Sequence, residues 1–167
     1  FFSFSNLVFN ESIESGLIFE SETWKALVEN AKGHTFHFIG LLSDGNVHSN
    51  ISHLKAMLTE LKNEGAGKVR LHVLLDGRDV GPRTAEIYVK MLEDKMAELN
   101  DSTFDSKIAS GGGRMVITMD RYNANWDMVK KGWETHVLGE GRQFASAHEA
   151  IETLRKETGA IDQDLPA

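Results

Sequence analysis

Cysteine is absent from the 167 residues, which excludes disulfides, thiolate metal sites and a cysteine nucleophile. That absence is compatible with a reducing compartment, and a cytoplasmic location is the expectation. No apolar run approaches the roughly 20 residues that span a bilayer. Phe1 to Phe9 is apolar and aromatic but short, without a basic leader or a small-residue cleavage site, so it is not read as a signal peptide. Basic residues are the minority: 18 Lys and Arg stand against 25 Asp and Glu, a formal net charge of -7. Nonspecific binding to nucleic acid or to an acidic membrane needs a basic face, so neither is expected as a partner. Internal repeats, low-complexity tracts and proline-rich linkers are also missing. Residue 1 is Phe rather than Met, which suggests a processed or partial product.

With 41% hydrophobic and 26% charged residues, the chain has the balance of one globular domain with a real core. Two kinds of segment alternate along it. Ser21 caps an expected helix through Trp24, Leu27, Val28 and Ala31. His34 to Leu42 is short, apolar and aromatic, as a buried strand is. After a polar loop, Asn50 caps a helix whose apolar face is Ile51, Leu54, Met57, Leu58 and Leu61. Gly65 and Gly67 end it. Val69 to Leu75 reads as a strand, Thr84 to Leu99 as a helix carrying Ile87, Met91 and Leu99, and Lys107 to Ser110 as a third, shorter strand. An extended Met115 to Met119 and a helix near Trp126 to Gly132 follow, and Met115 to Gly141 is expected to add a strand or a small lobe. A capping box, Ser146 with Glu149, announces a last helix with Ile151 and Leu154.

This order predicts an α/β fold, a mainly parallel sheet flanked by helices, with a ligand crevice at the C-terminal ends of the strands. Residues 1–20 are an N-terminal segment without an assigned structure, 21–159 a single α/β domain, and 160–167 a frayed tail or truncated linker.

Each strand exit carries glycine beside a charged or hydrogen-bonding group. The first has Asp44, Gly45 and His48; the second Asp76, Gly77, Arg78 and Asp79; the third Gly111 to Gly113 and Arg114, with Asp120 and Arg121 beyond. Taken singly, Asp-Gly is a turn and Gly-Arg-Asp a surface ion pair. Gly111 to Gly113 resembles a phosphate-cradling nest, but the Gly-Lys-Ser/Thr ending of a P-loop is missing. At equivalent places in the alternation, the three loops would converge, and arginine forks match carboxylate and phosphate oxygens. The pattern suggests a small, multiply anionic ligand.

Other candidates are weaker. His34 and His37 would point to opposite strand faces, His48 and His53 straddle a helix start, and His72 sits mid-strand. None forms a His-Glu-x-x-His pair, so no metal is expected in this chain. Without a Gly-x-Ser-x-Gly elbow, Ser43 and Ser110 read as hydrogen-bonding turn residues. Met115, Met119, Met128, Trp24, Trp126 and Trp133 are expected to pack in the core or against a loop.

Four motifs together resemble the cofactor-independent phosphoglycerate mutases: Gly40-Leu-Leu-Ser-Asp-Gly-Asn-Val-His-Ser49, Leu74-Leu-Asp-Gly-Arg-Asp79, Ser110-Gly-Gly-Gly-Arg114 and Ile117-Thr-Met-Asp-Arg-Tyr122. They keep the family's order and spacing, and the resemblance runs from about Glu11 to Pro166. Asn46 and the Ile-Thr-Met-Asp-Arg-Tyr form are similar to the plant and trypanosomatid branch. The resemblance implies interconversion of 3-phosphoglycerate and 2-phosphoglycerate by two domains. A phosphatase-like domain supplies a serine nucleophile and two divalent metals, usually manganese; an inserted domain, which this chain resembles, holds the glycerate. It places His48, Arg78, Asp79, Arg114 and Arg121 at substrate-contacting positions. Asp79 becomes the general acid or base on the glycerate hydroxyls. The arginines neutralise ligand charge, and Arg78 also positions the substrate and stabilises the Asp79 carboxylate. Asp44 shapes its loop.

The family's Asn-Ser-Glu-x-Gly-His nucleophile motif and its Phe-Arg-x-Asp-Arg stretch are not found in the sequence. The expectation is a phosphoglycerate-binding part with no cofactor of its own, inactive without its phosphatase-like partner domain. The alternative from another class is a non-enzymatic remnant or interaction module, with Phe1, Phe2, Phe4 and Phe9 as its contact feature.

Overall fold

In β2, Lys68–Leu75, apolar residues alternate strictly enough to give the strand two different faces. Val69, Leu71, Val73 and Leu75 enter one core, while Arg70, His72 and Leu74 face the other way. This computed structural model describes residues 4–118 and 125–167. Among the described residues the sheet has three parallel strands in the order β1-β2-β3, with β1 at Thr35–Leu42 and β3 at Asp105–Gly113. The expected α/β class with a parallel sheet and flanking helices is what is found.

The helices begin where the caps predict. The Ser21 hydroxyl accepts from Trp24 N to start α3, Glu22–Ala31, and the Asn50 side chain accepts from Ser52 N to start α4, Ile51–Asn63. Ser146 does the same for Glu149 N at α7, Ala147–Thr158, while the Glu149 carboxylate accepts from Ala145 N. α4 joins β1 to β2 and α5, Ala85–Leu99, joins β2 to β3. Both lie on the same side of the sheet. With α3 and α7 they bury Trp24, Val28, Leu58, Leu61, Val89 and Leu92 against the odd-numbered side chains of β2. At about 25 cal/mol per Å² of apolar surface removed from water, this continuous cluster is the main source of stability.

Several expectations are corrected. β3 is longer than Lys107–Ser110 because Ser110 to Gly113 pair with the central strand, so the triple glycine is strand rather than a nest. The C-terminal segment also packs so closely here that a side chain at Gly113 would run into the Gln163 carbonyl. On α5 the buried stripe is Ala85, Tyr88, Val89, Leu92, Met96 and Leu99; Ile87 and Met91 face solvent. Leu27, Met115, Trp126 and Trp133 are exposed rather than packed in the core. Arg114 to Val116 turns instead of extending, and Met119 lies outside the described residues. No strand occurs among the described residues between 115 and 141; α6, Trp126–Trp133, and a π-helical turn, Glu134–Leu138, are found there.

Two short helices, α1 at Phe4–Glu14 and α2 at Leu17–Glu20, precede α3. The segment 160–167, expected to fray, is docked. Asp162 and Leu165 are buried, Gly113 N donates to Leu165 O and Met115 N to Gln163 O. Asp162 holds it in place by accepting from Ala85 N at 2.8 Å and from Arg155 at 2.6 Å. No helix of the described chain is long and apolar enough to cross a membrane.

Candidate functional site

Because the strands are parallel, Leu42, Leu75 and Gly113 finish at one sheet edge, in register. The residues that follow them meet there. The Ser43 hydroxyl donates to Asp76 Oδ2 at 2.6 Å. Asp76 Oδ1 accepts from Arg78 N at 3.2 Å, from Asp79 N at 3.1 Å and from Arg114 Nη1 at 2.8 Å. The same Arg114 nitrogen donates to Asp79 Oδ2 at 2.8 Å. One carboxylate thus ties all three strand exits together.

Burial disfavours the charge on Asp76, yet the Ser43 hydroxyl, the Asp79 and Arg78 amides and the Arg114 guanidinium together hold its carboxyl below the ordinary range. Burial also opposes the charge on Arg114, but its bonds to Asp79 and Asp76 raise its pKa above the usual value. Paired with two carboxylates, Arg114 leaves a trio of net charge minus one.

The loops that carry these groups are tightly folded. Gly45 lies against Asp79: a Cβ on Gly45 would sit 2.9 Å from that of Asp79. Asn46 adopts φ 54°, a left-handed conformation that asparagine tolerates. Asp44 accepts from the Tyr88 hydroxyl at 2.6 Å, which anchors the first loop to α5. Burial, then the hydrogen bond to Asp44, pushes the Tyr88 hydroxyl up to about 12.

Of the residues expected to touch a ligand, Asp79 and Arg114 are in direct contact. Arg78 is next to them, exposed, and makes no ion pair among the described residues. The guanidinium that meets Asp79 is therefore Arg114 and not Arg78. His48 is exposed on the β1 exit loop and lines a cavity of about 340 Å³ with Asn46, His53 and His72. Arg121, like Asp120 and Tyr122, lies outside the described residues. Asp76 and Ser43 were legible only as turn residues; their position directly after two adjacent parallel strands was the signal that they could meet. Among the described residues no group of three or more His, Cys, Asp or Glu side chains could hold a metal ion, so they offer no donor set for the metals that the resemblance implies.

In open parallel α/β domains ligands bind at the carboxyl edge of the sheet, where these three loops meet. Comparison narrows the class. The family model described as BPG-independent PGAM N-terminus (iPGM_N) matches residues 9–167. A probable 2,3-bisphosphoglycerate-independent phosphoglycerate mutase of Leptospira interrogans is 52% identical over 161 residues, 95% of this chain and 29% of that protein. The corresponding mutase 1 of Arabidopsis thaliana is 45% identical, with 94% and 28% covered. That of Trypanosoma brucei brucei is 46% identical, with 94% and 29% covered. A solved structure of Leishmania mexicana phosphoglycerate mutase, obtained at low cobalt concentration, superposes with a TM-score of 0.93 at 41% identity, over 96% of this chain and 30% of that one. The chain belongs to the BPG-independent phosphoglycerate mutase family, and it spans less than a third of the length of these relatives.

Proposed function

We propose that this chain is the phosphoglycerate-holding part of a cofactor-independent phosphoglycerate mutase, the isomerase that interconverts 3-phosphoglycerate and 2-phosphoglycerate in glycolysis. The observation that supports it is the Asp79 carboxylate, held by Arg114 at the carboxyl edge of a parallel sheet in a member of this family. Arg78, His48, Arg121 and Arg114 would take the phosphate and carboxylate of the ligand, Arg114 through nitrogens other than the Nη1 that meets Asp76 and Asp79. Asp79 would first give a proton to the glycerate oxygen that loses the phosphoryl group to the partner domain's serine, and then take one from the neighbouring hydroxyl as that oxygen attacks the phosphoserine.

The reading assigns the serine nucleophile and the two divalent metals, manganese in most members, to a phosphatase-like partner domain. The isolated chain then binds without turnover. A cytoplasmic location belongs to the same reading. A second reading, an interaction module that binds no phosphoglycerate, draws on the N-terminal phenylalanines, of which Phe9 is exposed and Phe1 and Phe2 lie outside the described residues.

Calorimetric titration of 3-phosphoglycerate at low ionic strength separates the two. Saturable binding that weakens with salt, and by about tenfold or more in Arg78→Ala, is expected. A folded chain that gives no heat would overturn the first reading. Formation of 2-phosphoglycerate by the pure chain with manganese would overturn its assignment as a part that cannot act alone.

A further inference from the structure

Asp76 is a carboxylate at 2% exposure with every bond directed at the site. Buried charge is seldom the economical way to stabilise a fold, since well-packed apolar groups of similar volume often serve as well or better. Asp162, equally buried, shows what an architectural carboxylate does here: it caps α5 and anchors the docked 160–167 segment through Arg155. Among the described residues the side chain of Asp76 bonds to the three strand exits and to no helix or terminal segment. Its partners are Ser43, the Arg78 and Asp79 amides and Arg114, which together are the exits of all three strands.

We infer that Asp76 is the positioning residue of the site, fixing the Arg114 guanidinium and the Arg78–Asp79 backbone so that Asp79 meets the ligand hydroxyl in a single orientation. Asp79 is then held twice, by its own amide to Asp76 and by its carboxylate to Arg114, and both restraints end on one oxygen. Ser43 acts one step further out: it holds the other oxygen of Asp76 and also accepts from Gly45 N at 3.3 Å, which links the first loop to the same carboxylate. The ligand part of this inference rests on the phosphoglycerate reading; the positioning part does not.

Two measurements on the full chain separate those parts. The first follows hydrogen exchange of the Arg114 guanidinium by ¹⁵N NMR without ligand, with the strand amides of Val69 and Leu71 as internal controls. Asp76→Asn should speed Arg114 exchange about tenfold or more while those amides are unmoved. The second titrates 3-phosphoglycerate, whose affinity should fall about tenfold in the same variant. Should Asp76→Asn fail to fold, Ser43→Ala retains the carboxylate and loses one of its bonds; it should move both readouts in the same direction by a smaller factor. Unchanged Arg114 exchange, or a change only in step with the strand amides, would overturn the inference. Faster Arg114 exchange with undiminished affinity would overturn its ligand part. If the parent chain does not bind 3-phosphoglycerate yet Arg114 exchange responds, positioning stands and the phosphoglycerate reading falls.

Discussion

On one face of the sheet, Val69, Leu71, Val73 and Leu75 press against four helices; on the other, His37, His72 and Ser110 form a hydrogen-bonded line in which His72 is buried and His37 exposed. His37 Nδ1 lies 3.0 Å from His72 Nε2, His72 Nδ1 2.6 Å from Ser110 Oγ, and Ser110 Oγ 2.7 Å from His136 Nδ1. His136 Nε2 continues to the Thr118 hydroxyl at 3.1 Å. A shift of register between Leu71 and His72 sets Ser110, rather than Ala109, opposite His72, as a bulge in β3 would. Where the line nears the site, Leu41, Leu74 and Ile117 close into a small apolar cluster. Both faces come from the same two-residue period. They differ in what answers them: packing on the first, and hydrogen bonds whose directions depend on protonation on the second.

The sharpest way to break the contrast is Leu71→Ala on the packed face. Leu71 is 1% exposed among α4, α5 and the neighbouring strands, so truncation leaves a cavity. A loss of about 3 kcal/mol in urea-unfolding free energy is expected. A loss below about 1 kcal/mol would mean that this face is not the core.

Acid should undo the other face. Burial, then the charges of His136 and His37, lower the His72 pKa to about 4, and burial lowers that of His136 too. A neutral imidazole offers one donor and one acceptor, so the line can be satisfied in either direction with every ring neutral. A protonated His72 offers two donors and breaks that sense. The unfolded chain takes up the proton first, near 6.5, and the folded one only near 4. His72 therefore contributes no penalty above about pH 6.5; stability is lost as pH falls through that window, by at most about 3.4 kcal/mol and by roughly 2 once solvent screening of a partly solvated ring is allowed for, and the loss levels off below about pH 4. The stability difference between the parent and His72→Gln, measured across this range, isolates the effect. A difference that does not vary with pH would remove the line from the acid response.

These two faces were unequally legible. The packed face announces itself locally, through alternation in β2 and through the Ser21, Asn50 and Ser146 caps. On α5 the pattern Ala85, Tyr88, Val89, Leu92, Met96, Leu99 is available, but Ile87 and Met91, four residues apart, make a competing apolar pair on a different face. The polar line has no local signal, because His37, His72, Ser110 and His136 meet only through register. β3 extends beyond its sequence signal for a related reason: Ser-Gly-Gly-Gly has poor strand propensity, and pairing with the central strand overrides it. The 160–167 segment reads as polar and loose until Asp162 finds Ala85 and Arg155 in space. At the site, motif order brought out Asp79 and Arg114 as residues, whereas the carboxylate that joins them, Asp76, looked like any Asp-Gly turn.

Ser110→Ala should have a smaller effect, confined to the polar face. It removes the one hydroxyl between His72 and His136 without opening a cavity large enough to disturb the helices. Two ring nitrogens lose a partner, and on this half-covered face water can replace much of it, so about 1 kcal/mol is expected in the same urea assay. A loss as large as that of Leu71→Ala would show the line to be as structural as the core.

Ile39→Ser tests the open face at its most exposed apolar point. Ile39 follows His37 on the same side of β1 and pairs in register with His72, yet it is 56% exposed. On the packed face an equivalent change would remove buried apolar area and add an unpaired hydroxyl. Here little apolar area is removed and the hydroxyl stays hydrated, so the unfolding free energy should move by less than about 0.5 kcal/mol. The assay is best run at two protein concentrations, because an isoleucine that is covered by another copy of the chain would betray itself by a loss that grows with concentration. A small, concentration-independent change keeps the contrast as drawn: the same strand contributes stability from one face and hydrogen-bonding groups from the other.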